Sequence, residues 1–573
     1  LHYIMSDNCP IIQTNKRSSP KNNINLSIDL TLQKTEDEIR LAVLGYAQEV
    51  KRIFSTFTNF GLAASMISVI LGIIPLYSYS LQTGGPVVMI WSWIVVGFFC
   101  FILVASLAEI CSAFPTMGAL YYWAFRLGGP RWGPFASWTA GWCNLLGQIA
   151  GVASGGYSGA QIIANIVSLT QGYDFSDAEF LAVYAAVLIL AGVVNTFAET
   201  LLTALCYVSV IWHVVGVLII VIWMLCTAPT LQNSSFVLSH FQNSTTFSSS
   251  SYVGLIGILF AASTFTGYDT AAHIAEETTH SHKSTPTAMI ASVANCLILG
   301  LILIVGMNVC IQDLDSLIDP DNTQEAYTIL WQQTVGHNPT IFFLLIVFVA
   351  IECSNCANLT SASRMVYSFS RDGALPFSSF FYNMSKNCGS PTRAIWLCVL
   401  VSFLLGVPGL ANNAALSALF SLTATGLYSS YLIPILLRVT VSRDTFEPAE
   451  FNLGNWSIPM GWLSVCWCLF MTVILCLPQQ TPISLDNMNY SPIALGGLLI
   501  CCWAYWIFSA RFWFRLEAKV SVDSTMPSCD DFEPILLQTP TKNNFKNTNN
   551  SESMTNFQFN DDGNNATAIL STV

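Results

Sequence analysis

Long uncharged apolar stretches alternate with short polar segments along most of the chain. Residues 53–108, 132–173 and 394–437 contain no Asp, Glu, Lys or Arg. A helix of about 20 apolar residues crosses the hydrocarbon core of a bilayer. Because each stretch exceeds that length, the pattern predicts membrane-spanning α-helices rather than the core of a soluble domain.

Proline and glycine divide the longer stretches into individual spans. Pro75 and the segment 84–86 separate the first two spans, and the segment 408–413 separates the ninth from the tenth. The predicted fold class is therefore an all-α integral membrane protein with twelve transmembrane helices. The predicted spans lie near residues 54–78, 87–110, 135–165, 180–198, 202–226, 252–275, 286–310, 339–362, two within 394–437, 459–478 and 492–512.

Composition excludes several classes of protein. Only 9% of the residues are charged, whereas about a quarter are charged in a soluble protein. Acidic residues outnumber basic ones by 33 to 21, which argues against nucleic-acid binding because phosphate contacts need basic patches. The sequence contains no nucleophile–base pair, phosphate-binding loop or metal-ligand spacing. We therefore expect no enzyme activity, no cofactor and no metal site.

The distribution of charge predicts the orientation in the membrane. Basic residues concentrate on cytoplasmic loops, and an even number of spans places both termini on that side. The predicted outer loops contain no Lys or Arg. The basic residues of the predicted inner loops are Arg126, Arg131, Lys283, Arg364, Arg371, Lys386, Arg393, Arg438 and Arg443. We expect a multi-pass protein of the plasma membrane with glycosylation at the outer sequons of Asn233 and Asn243.

Both ends of the chain differ from its centre. Residues 1–52 are polar and form a predicted cytoplasmic tail before the transporter domain at 53–514. Residues 515–573 are rich in Asn, Ser and Thr, which predicts a disordered cytoplasmic tail. The chain ends in Ser571-Thr572-Val573, an ending that suits a PDZ-type scaffold partner.

Two predicted spans contain residues that interrupt a membrane helix. The first includes Ser65, Ser68, Gly72 and Pro75, and the sixth includes the segment 263–269, with His273 one turn later. An interruption frees backbone N–H and C=O groups in hydrocarbon, where each unsatisfied group costs several kcal/mol. A zwitterionic substrate satisfies such groups, and paired broken helices mark the binding sites of many transporters. The alternative is that glycine and proline only kink packed helices.

Three motifs resemble the amino acid–polyamine–organocation superfamily, and two of them resemble its amino acid/choline transporter branch. Residues 108–123 read AEICSAFPTMGALYYW, residues 266–278 read TGYDTAAHIAEET, and residues 362–376 read ASRMVYSFSRDGALP. The resemblance covers about 50–515. It implies a five-plus-five inverted repeat of the LeuT type with broken helices 1 and 6, at about 53–226 and 252–438. Helices 11 and 12, at about 459–512, are additional.

The resemblance also implies alternating access and a substrate site between spans one, three, six and eight. With the breaks, it suggests a set of substrate-binding residues. These are Ser68, Val69, Gly72, Thr264, Phe265, Thr266, Gly267, Tyr268 and Asn355.

Several charged residues lie within or beside the spans. Asp269, His273 and Glu352 are candidates for ion coupling, or for countering a second positive charge on the substrate. For Glu352 the alternative is a packing role, and the coupling ion is H+ or Na+. Charged residues at the predicted cytoplasmic ends form a candidate inner gate or, alternatively, solvated interfacial charge. They are Glu109, Glu276, Glu277, Arg364, Arg371 and Asp372.

The predicted function is secondary active transport of amino acids or related amines. One alternative is a choline or polyamine transporter. Another is a nutrient receptor that uses the same scaffold without transport, because its binding site would contain the same residues. A channel is a weaker alternative, since no filter-like ring of residues occurs in the sequence.

Overall fold

The computed structural model describes residues 35–514 and 516, except 198, 320–323, 386–387, 412–414 and 485–486. Of the predicted C-terminal tail, only Leu516 is described, so the Ser571-Thr572-Val573 ending lies outside the described residues. All of the described residues belong to the first compact unit of the chain, Leu1–Ser521.

The described chain is almost entirely helical. Its α-helices are α1 Glu36–Val43, α2 Thr56–Met66, α3 Val69–Ile73, α4 Tyr77–Gln82, α5 Gly85–Ala113, α6 Ala119–Gln171, α7 Asp177–Phe197, α8 Glu199–Thr227, α9 Ser234–Ser239, α10 Ser250–Ile256, α11 Leu259–Thr264, α12 Thr270–His273, α13 Ser281–Val309, α14 Leu314–Ile318, α15 Ala326–Val335, α16 His337–Arg371, α17 Ser378–Phe381, α18 Thr392–Gly406, α19 Ala415–Val439, α20 Ser457–Ile474 and α21 Ser491–Phe508. The 3₁₀ turns are Ala275–Glu277, Val407–Ala411, Gly454–Trp456 and Ala510–Phe512. Two short strands, β1 Thr83–Gly84 and β2 Gln242–Asn243, pair antiparallel.

Within the described part of the chain, ten helical segments are long and apolar enough to cross a membrane. They are Thr56–Ile73, Gly85–Ala113, Asp177–Phe197, Leu202–Thr227, Ser281–Val309, His337–Arg371, Thr392–Gly409, Ala415–Val439, Gly454–Ile474 and Ser491–Phe508. The third and sixth predicted spans are outside this set. The third lies in α6, which has non-helical backbone at Gly129. The sixth contains only the shorter apolar segment Ser250–Thr264.

Local sequence explains where several helices begin. Ser55 accepts a hydrogen bond from the backbone N–H of Thr58, and the Thr58 side chain accepts one from Ser55, which forms a capping box before α2. Gly84 precedes α5 with φ of +113°, and Pro86 lies in the first turn. Because glycine tolerates positive φ and proline suits a first turn, this segment separates the first two spans as predicted.

The helix exteriors are apolar. On α5, Phe98 is 59% exposed, whereas Trp93 is fully buried among neighbouring helices. Ile298 on α13 is 62% exposed. A large exposed apolar surface is unfavourable in water but fits the hydrocarbon of a bilayer. The exposed faces therefore agree with the membrane setting that the hydropathy predicts.

Helix α6 lies at the centre of the bundle, where it packs along α16 and α19. Glycine makes the approach to α19 close: a Cβ atom built on Gly147 would lie 2.8 Å from the backbone nitrogen of Leu427. Small residues at such positions allow helix backbones to approach each other. Asn144 and Gln148 on α6 donate hydrogen bonds to Asp269, in the segment between α11 and α12.

Candidate functional site at the two broken helices

The first break lies between α2 and α3. Helix α2 ends at Met66 and α3 begins at Val69. The Ser68 hydroxyl accepts a hydrogen bond from the backbone N–H of Leu71 at 3.1 Å and contacts Nε2 of His213 at 2.7 Å. His213 lies on α8 and therefore connects that helix to the first break. Its ring Nδ1 lies 2.8 Å from the carbonyl oxygen of Ser209.

The second break lies between α11 and α12. Helix α11 ends at Thr264 and α12 begins at Thr270, so five residues between them are not helical. Gly267 has φ of +98°, and a Cβ atom built on it would lie 2.9 Å from side-chain atoms of Met66. Only glycine combines this backbone conformation with such a close approach.

The two breaks pack directly against each other. A Cβ atom built on Gly72 would lie 2.0 Å from Oγ1 of Thr264, so any side chain at position 72 would collide with α11. The structure therefore brings together two segments that are almost two hundred residues apart in the sequence. Such proximity is what a single substrate site at both interruptions requires.

Asp269 is fully buried beside the second break, where three side chains donate hydrogen bonds to its carboxylate. The Tyr431 hydroxyl donates to Oδ1 at 2.6 Å, and the amides of Asn144 and Gln148 donate to Oδ2 at 2.8 and 3.0 Å. Tyr431 also accepts from the backbone N–H of Gly267 at 3.0 Å. The carboxylate thus connects the broken segment to α6 and α19. These hydrogen bonds are the partners that a charge needs when it is buried.

His273 lies one helical turn after Asp269, and its ring lies between two oxygen atoms. Its Nδ1 lies 3.1 Å from the carbonyl oxygen of Met117, which can only accept a hydrogen bond. Its Nε2 lies 3.3 Å from Oδ2 of Asp269. The imidazole therefore connects the Asp269 carboxylate to the segment before α6.

A small cavity lies between the broken helices and helices α6, α16 and α19. Four predicted substrate-binding residues line it, namely Ser68, Gly72, Thr264 and Thr266. Its other lining residues are Met66, Leu71, Gly151, Ser154, Ser263, Asn358, Phe420, Thr423 and Leu427.

The other predicted substrate-binding residues lie around the cavity rather than on its lining. Val69 and Phe265 are buried, and the Phe265 ring packs 4.6 Å from the ring of Trp93. Tyr268 stacks on Tyr431 with ring centroids 5.0 Å apart. Gly267 contacts Met66, as described above, and Asn355 is fully buried on α16, three residues before Asn358 in the sequence.

Glu352 lies further along α16. A Cβ atom built on Gly159 of α6 would be 3.1 Å from its Oε1. Both carboxylate oxygens are buried and have no hydrogen-bond partner among the described residues. Glu352 therefore lies apart from Asp269 and His273, although the sequence suggests the same roles for all three.

Four of the candidate inner-gate residues form two buried ion pairs. Arg371 makes two hydrogen bonds of 2.9 Å to the carboxylate of Glu276. Arg364 donates to Glu277 at 3.0 and 3.4 Å. The four side chains are at most 8% exposed. They are therefore not solvated interfacial charges, and they join the segment after α12 to the end of α16.

The chain before α2 contacts the same group of residues. Asp372 accepts hydrogen bonds from the hydroxyls of Tyr121 at 2.8 Å and Tyr46 at 3.0 Å. Burial and the nearby Asp372 carboxylate raise the pKa of Tyr46 well above its ordinary value, so its hydroxyl remains a donor. The guanidinium of Arg371 lies 4.0 Å from the centre of the Tyr46 ring, which is a cation–π contact.

Glu109 is separate from these ion pairs. It accepts hydrogen bonds from the backbone N–H of Leu453 at 3.1 Å and from the Ser457 hydroxyl at 2.6 Å. Its partners thus lie at the start of α20. These contacts place Glu109, one of the six candidate inner-gate residues, beside α20, which is the first of the two additional helices.

Both predicted glycosylation sites lie in the segment between α8 and α10. Asn233 caps α9 by accepting a hydrogen bond from the backbone N–H of Phe236 at 2.7 Å. Asn243 lies in β2 opposite Thr83, and its Oδ1 accepts from the Thr245 hydroxyl at 2.7 Å. Asn243 is exposed.

Sequence reasoning missed several residues that build the site. Asn144 and Gln148 occur four residues apart in an uncharged span, a spacing that puts them on one helix face. That signal was available in the sequence, whereas Tyr431 and His213 have no neighbouring polar pattern that would point to the breaks.

Comparison with known proteins shows which sequences this chain resembles. Residues 54–499 match the family model described as amino acid permease. The chain is 36% identical to the amino-acid permease BAT1 of Arabidopsis thaliana over 83% of this chain and 95% of that protein. It is 38% identical to the BAT1 homolog of Oryza sativa subsp. japonica, over 83% and 94%. It is 28% identical to the GABA-specific permease of Saccharomyces cerevisiae, over 86% and 87%.

Proposed function

This chain belongs to the amino acid permease family and is a multi-pass membrane transporter of amino acids, and we propose that it works as a secondary active carrier by alternating access. The proposal includes the architecture. Ten of the twelve spans form two inverted repeats at about 53–226 and 252–438, and the last two spans are the additional helices. The observation that supports it best is the cavity between the two broken helices, combined with buried ion pairs on one side of it.

The substrate site is proposed at this cavity. At the start of α3 the backbone N–H groups of Val69 and Ile70 offer donors for a substrate carboxylate, because the N-terminus of a helix carries partial positive charge. In the unwound segment the carbonyl oxygens of Phe265 and Thr266 offer acceptors for an ammonium group, since the next three carbonyl oxygens accept hydrogen bonds from α12. The hydroxyls of Ser154, Thr264 and Thr266 supply further polar contacts in the lining. These groups fit the zwitterionic head that all α-amino acids share.

The coupling ion is proposed to be a proton, held by Asp269 and His273. Their side chains are both fully buried, and Nε2 of His273 lies 3.3 Å from Oδ2 of Asp269, a separation that supports exchange of a proton between them. Asp269 also bonds to three residues of α6 and α19 around the break. A change in the protonation of the pair would therefore alter the contacts that position α12.

The inner gate is proposed to consist of Glu276 with Arg371, Glu277 with Arg364, and Asp372 with its two tyrosines. Opening towards the cytoplasm would have to separate α16 from the segment after α12. Breaking a buried pair without a replacement partner costs about 3–5 kcal/mol, so the gate would favour the closed state until substrate and proton binding offset that cost.

Orientation follows from the charge pattern. We place both termini in the cytoplasm, the protein in the plasma membrane and the sequons of Asn233 and Asn243 outside. A PDZ-type scaffold at the C-terminal Ser571-Thr572-Val573 belongs to the same proposal, since that orientation makes the end accessible to cytoplasmic partners.

An uptake screen tests the transport mechanism. Labelled neutral, acidic and cationic amino acids, GABA, choline and polyamines are supplied to cells that express the chain, at external pH 5.5 and 7.5, with and without sodium. We expect accumulation of amino acids against their gradient, higher at pH 5.5 and independent of sodium. Binding without accumulation would instead identify a receptor, and accumulation confined to choline or polyamines would identify the alternative substrate class.

A further inference from the structure

Glu325, the residue before α15, connects α4 to α6 through its carboxylate. Its Oε2 accepts a hydrogen bond of 2.6 Å from the hydroxyl of Ser78 on α4, and its Oε1 accepts one of 2.5 Å from the amide of Gln161 on α6. The Ser78 hydroxyl in turn accepts one of 3.0 Å from the backbone N–H of Ala326. One carboxylate therefore joins α4, α6 and the start of α15.

The rest of α15 makes unequal contacts with those two helices. It packs along α4 and α16. It is joined to α6 by a further hydrogen bond between side chains, in which the Asn165 amide donates to the Tyr327 hydroxyl at 2.5 Å. A hydrogen bond contributes less net free energy than the burial of a packed apolar face. The contact with α6 is therefore the one that separates more easily.

A stripe of polar side chains on α6 passes the Glu325 contact. Ser154, Ser158, Gln161, Asn165 and Ser168 follow one another at alternating intervals of four and three residues, so they share one helix face. Ser154 lines the central cavity at the broken helices. Asn165 and Ser168 line a second cavity of about 340 Å³, on the side that the charge pattern predicts to be outside.

Gln161 lies between the two cavities along this stripe. It is seven residues from Ser154 and seven from Ser168, which is about 10 Å in each direction along the helix axis. The two cavities have no lining residue in common. The Oε1 atom of Gln161 is buried and has no hydrogen-bond partner among the described residues. Donation to Glu325 is thus the side-chain hydrogen bond that holds the Gln161 amide in place.

We infer that Glu325 is an outer latch, which closes the path from outside to the central cavity by joining Gln161 on α6 to Ser78 on α4. This inference rests on the proposed alternating access and orientation, and it adds a positioning residue for the outer side. The latch is remote from the inner ion pairs, because α16 begins just after α15 and carries Arg364 about 40 Å further along its axis. In the outward-facing state the bond between Glu325 and Gln161 would be broken, while α15 would remain packed on α4.

Accessibility of the central cavity tests the latch. A cysteine replaces Ser154 in the Cys226→Ser background, and intact cells are treated with a small, charged, membrane-impermeant methanethiosulfonate. We expect Glu325→Ala to raise the labelling rate about tenfold, because the variant loses two hydrogen bonds to a carboxylate. Glu179→Ala is the matched control. Glu179 is also a hydrogen-bonded carboxylate, but its partners lie within six residues of it and connect no other helix.

An exchange of the two polar partners gives a stricter test. Gln161→Glu alone places a second carboxylate against Glu325 and should also raise the labelling rate. Gln161→Glu combined with Glu325→Gln restores one carboxylate and one amide, so the labelling rate should return to within about twofold of its starting value. Uptake kinetics give a second readout. Glu325→Ala should lower kcat without raising the KM for external substrate, because it favours the state that faces outward.

Three results would overturn the latch. The first is an unchanged labelling rate in Glu325→Ala, and the second is an equal increase in Glu179→Ala. The third is an exchanged pair that is labelled as fast as Gln161→Glu alone. Labelling does not depend on transport, so these results are distinct from a failure of the proposed function, which an unmodified chain that accumulates no amino acid would show. If Glu325→Ala does not reach the membrane, Gln161→Glu and the exchanged pair decide the question.

Discussion

The hydroxyl of Tyr431 donates a hydrogen bond of 2.6 Å to the carboxylate of Asp269, and it accepts one from the backbone N–H of Gly267. One oxygen atom on α19 thus satisfies both a charged side chain and a backbone group of the unwound segment. Because that segment borders the cavity, this contact connects the stability of the break to the shape of the substrate site.

Tyr431→Phe should impair uptake while leaving the fold intact. The change removes one hydrogen bond to a charged group, worth about 1.5–3 kcal/mol, together with the acceptor of the Gly267 N–H, and leaves the ring stacked on Tyr268. We expect at least a tenfold lower kcat/KM for every amino acid, measured with surface expression. Tyr505→Phe on the exposed face of α21 is the control. Equal activity of the two variants would show that the contact does not position the break.

His273→Gln tests the proton between His273 and Asp269. The Gln amide can donate to Asp269 at all pH values but cannot release a proton in the physiological range. We expect accumulation against a gradient to be lost and the pH dependence of uptake to disappear, while exchange of internal for external substrate persists. Accumulation that retains the pH dependence of the unmodified chain would exclude this pair as the coupling site.

Gly267→Leu should abolish transport. A non-glycine residue at φ of +98° carries about 1–3 kcal/mol of backbone strain, and its Cβ would press on Met66. Uptake and surface expression are measured together, with Gly496→Leu as the matched control. Normal substrate affinity in a well-expressed Gly267→Leu protein would mean that the interruption is only a kink.

The positions of the helix breaks were accessible from sequence for a local reason. Ser68 and Gly72 in one span, and the segment 263–269 in another, have poor propensity for a continuous membrane helix, so each break is encoded in its own neighbourhood. The number of spans was harder to predict than the breaks. The interruption at 263–269 shortens the sixth span, and the small residues of α6 lower the hydropathy of the third.

The partners of the breaks could not be derived in the same way. Tyr431 is more than 160 residues from Asp269, and its role depends on how α19 packs against α6. The sequence also suggests a tail for residues 1–52, because they are polar. In the structure Tyr46 contacts both Asp372 and Arg371, and this contact depends on the tertiary fold rather than on any local pattern.

The proposed orientation predicts which loops are accessible from outside. Asn243 lies in the predicted outer segment and Ser379 in a predicted inner loop, and both are exposed. Cysteines placed singly at these positions, in a background with Cys226→Ser, are treated with a membrane-impermeant maleimide on intact cells. We expect labelling at 243 alone, and labelling at 379 only after permeabilisation. Labelling at 379 in intact cells would overturn the topology.

The buried pair of Glu276 and Arg371 should contribute far more to stability than an exposed pair. Glu276→Gln leaves the Arg371 guanidinium buried without its carboxylate, a change that costs about 3–5 kcal/mol. The control is Glu36→Gln, because Glu36 pairs with Arg40 at 2.8 Å on an exposed face of α1, where such a pair contributes about 0–1 kcal/mol. Thermal unfolding of the purified proteins should therefore shift strongly for Glu276→Gln and little for Glu36→Gln.

The double variant Glu276→Arg with Arg371→Glu should recover part of the loss, because it restores the charge pair but not the hydrogen bond from the backbone N–H of Met117 to Glu276. Equal shifts for the two single variants would show that burial of the Glu276–Arg371 pair adds no stability over an exposed pair.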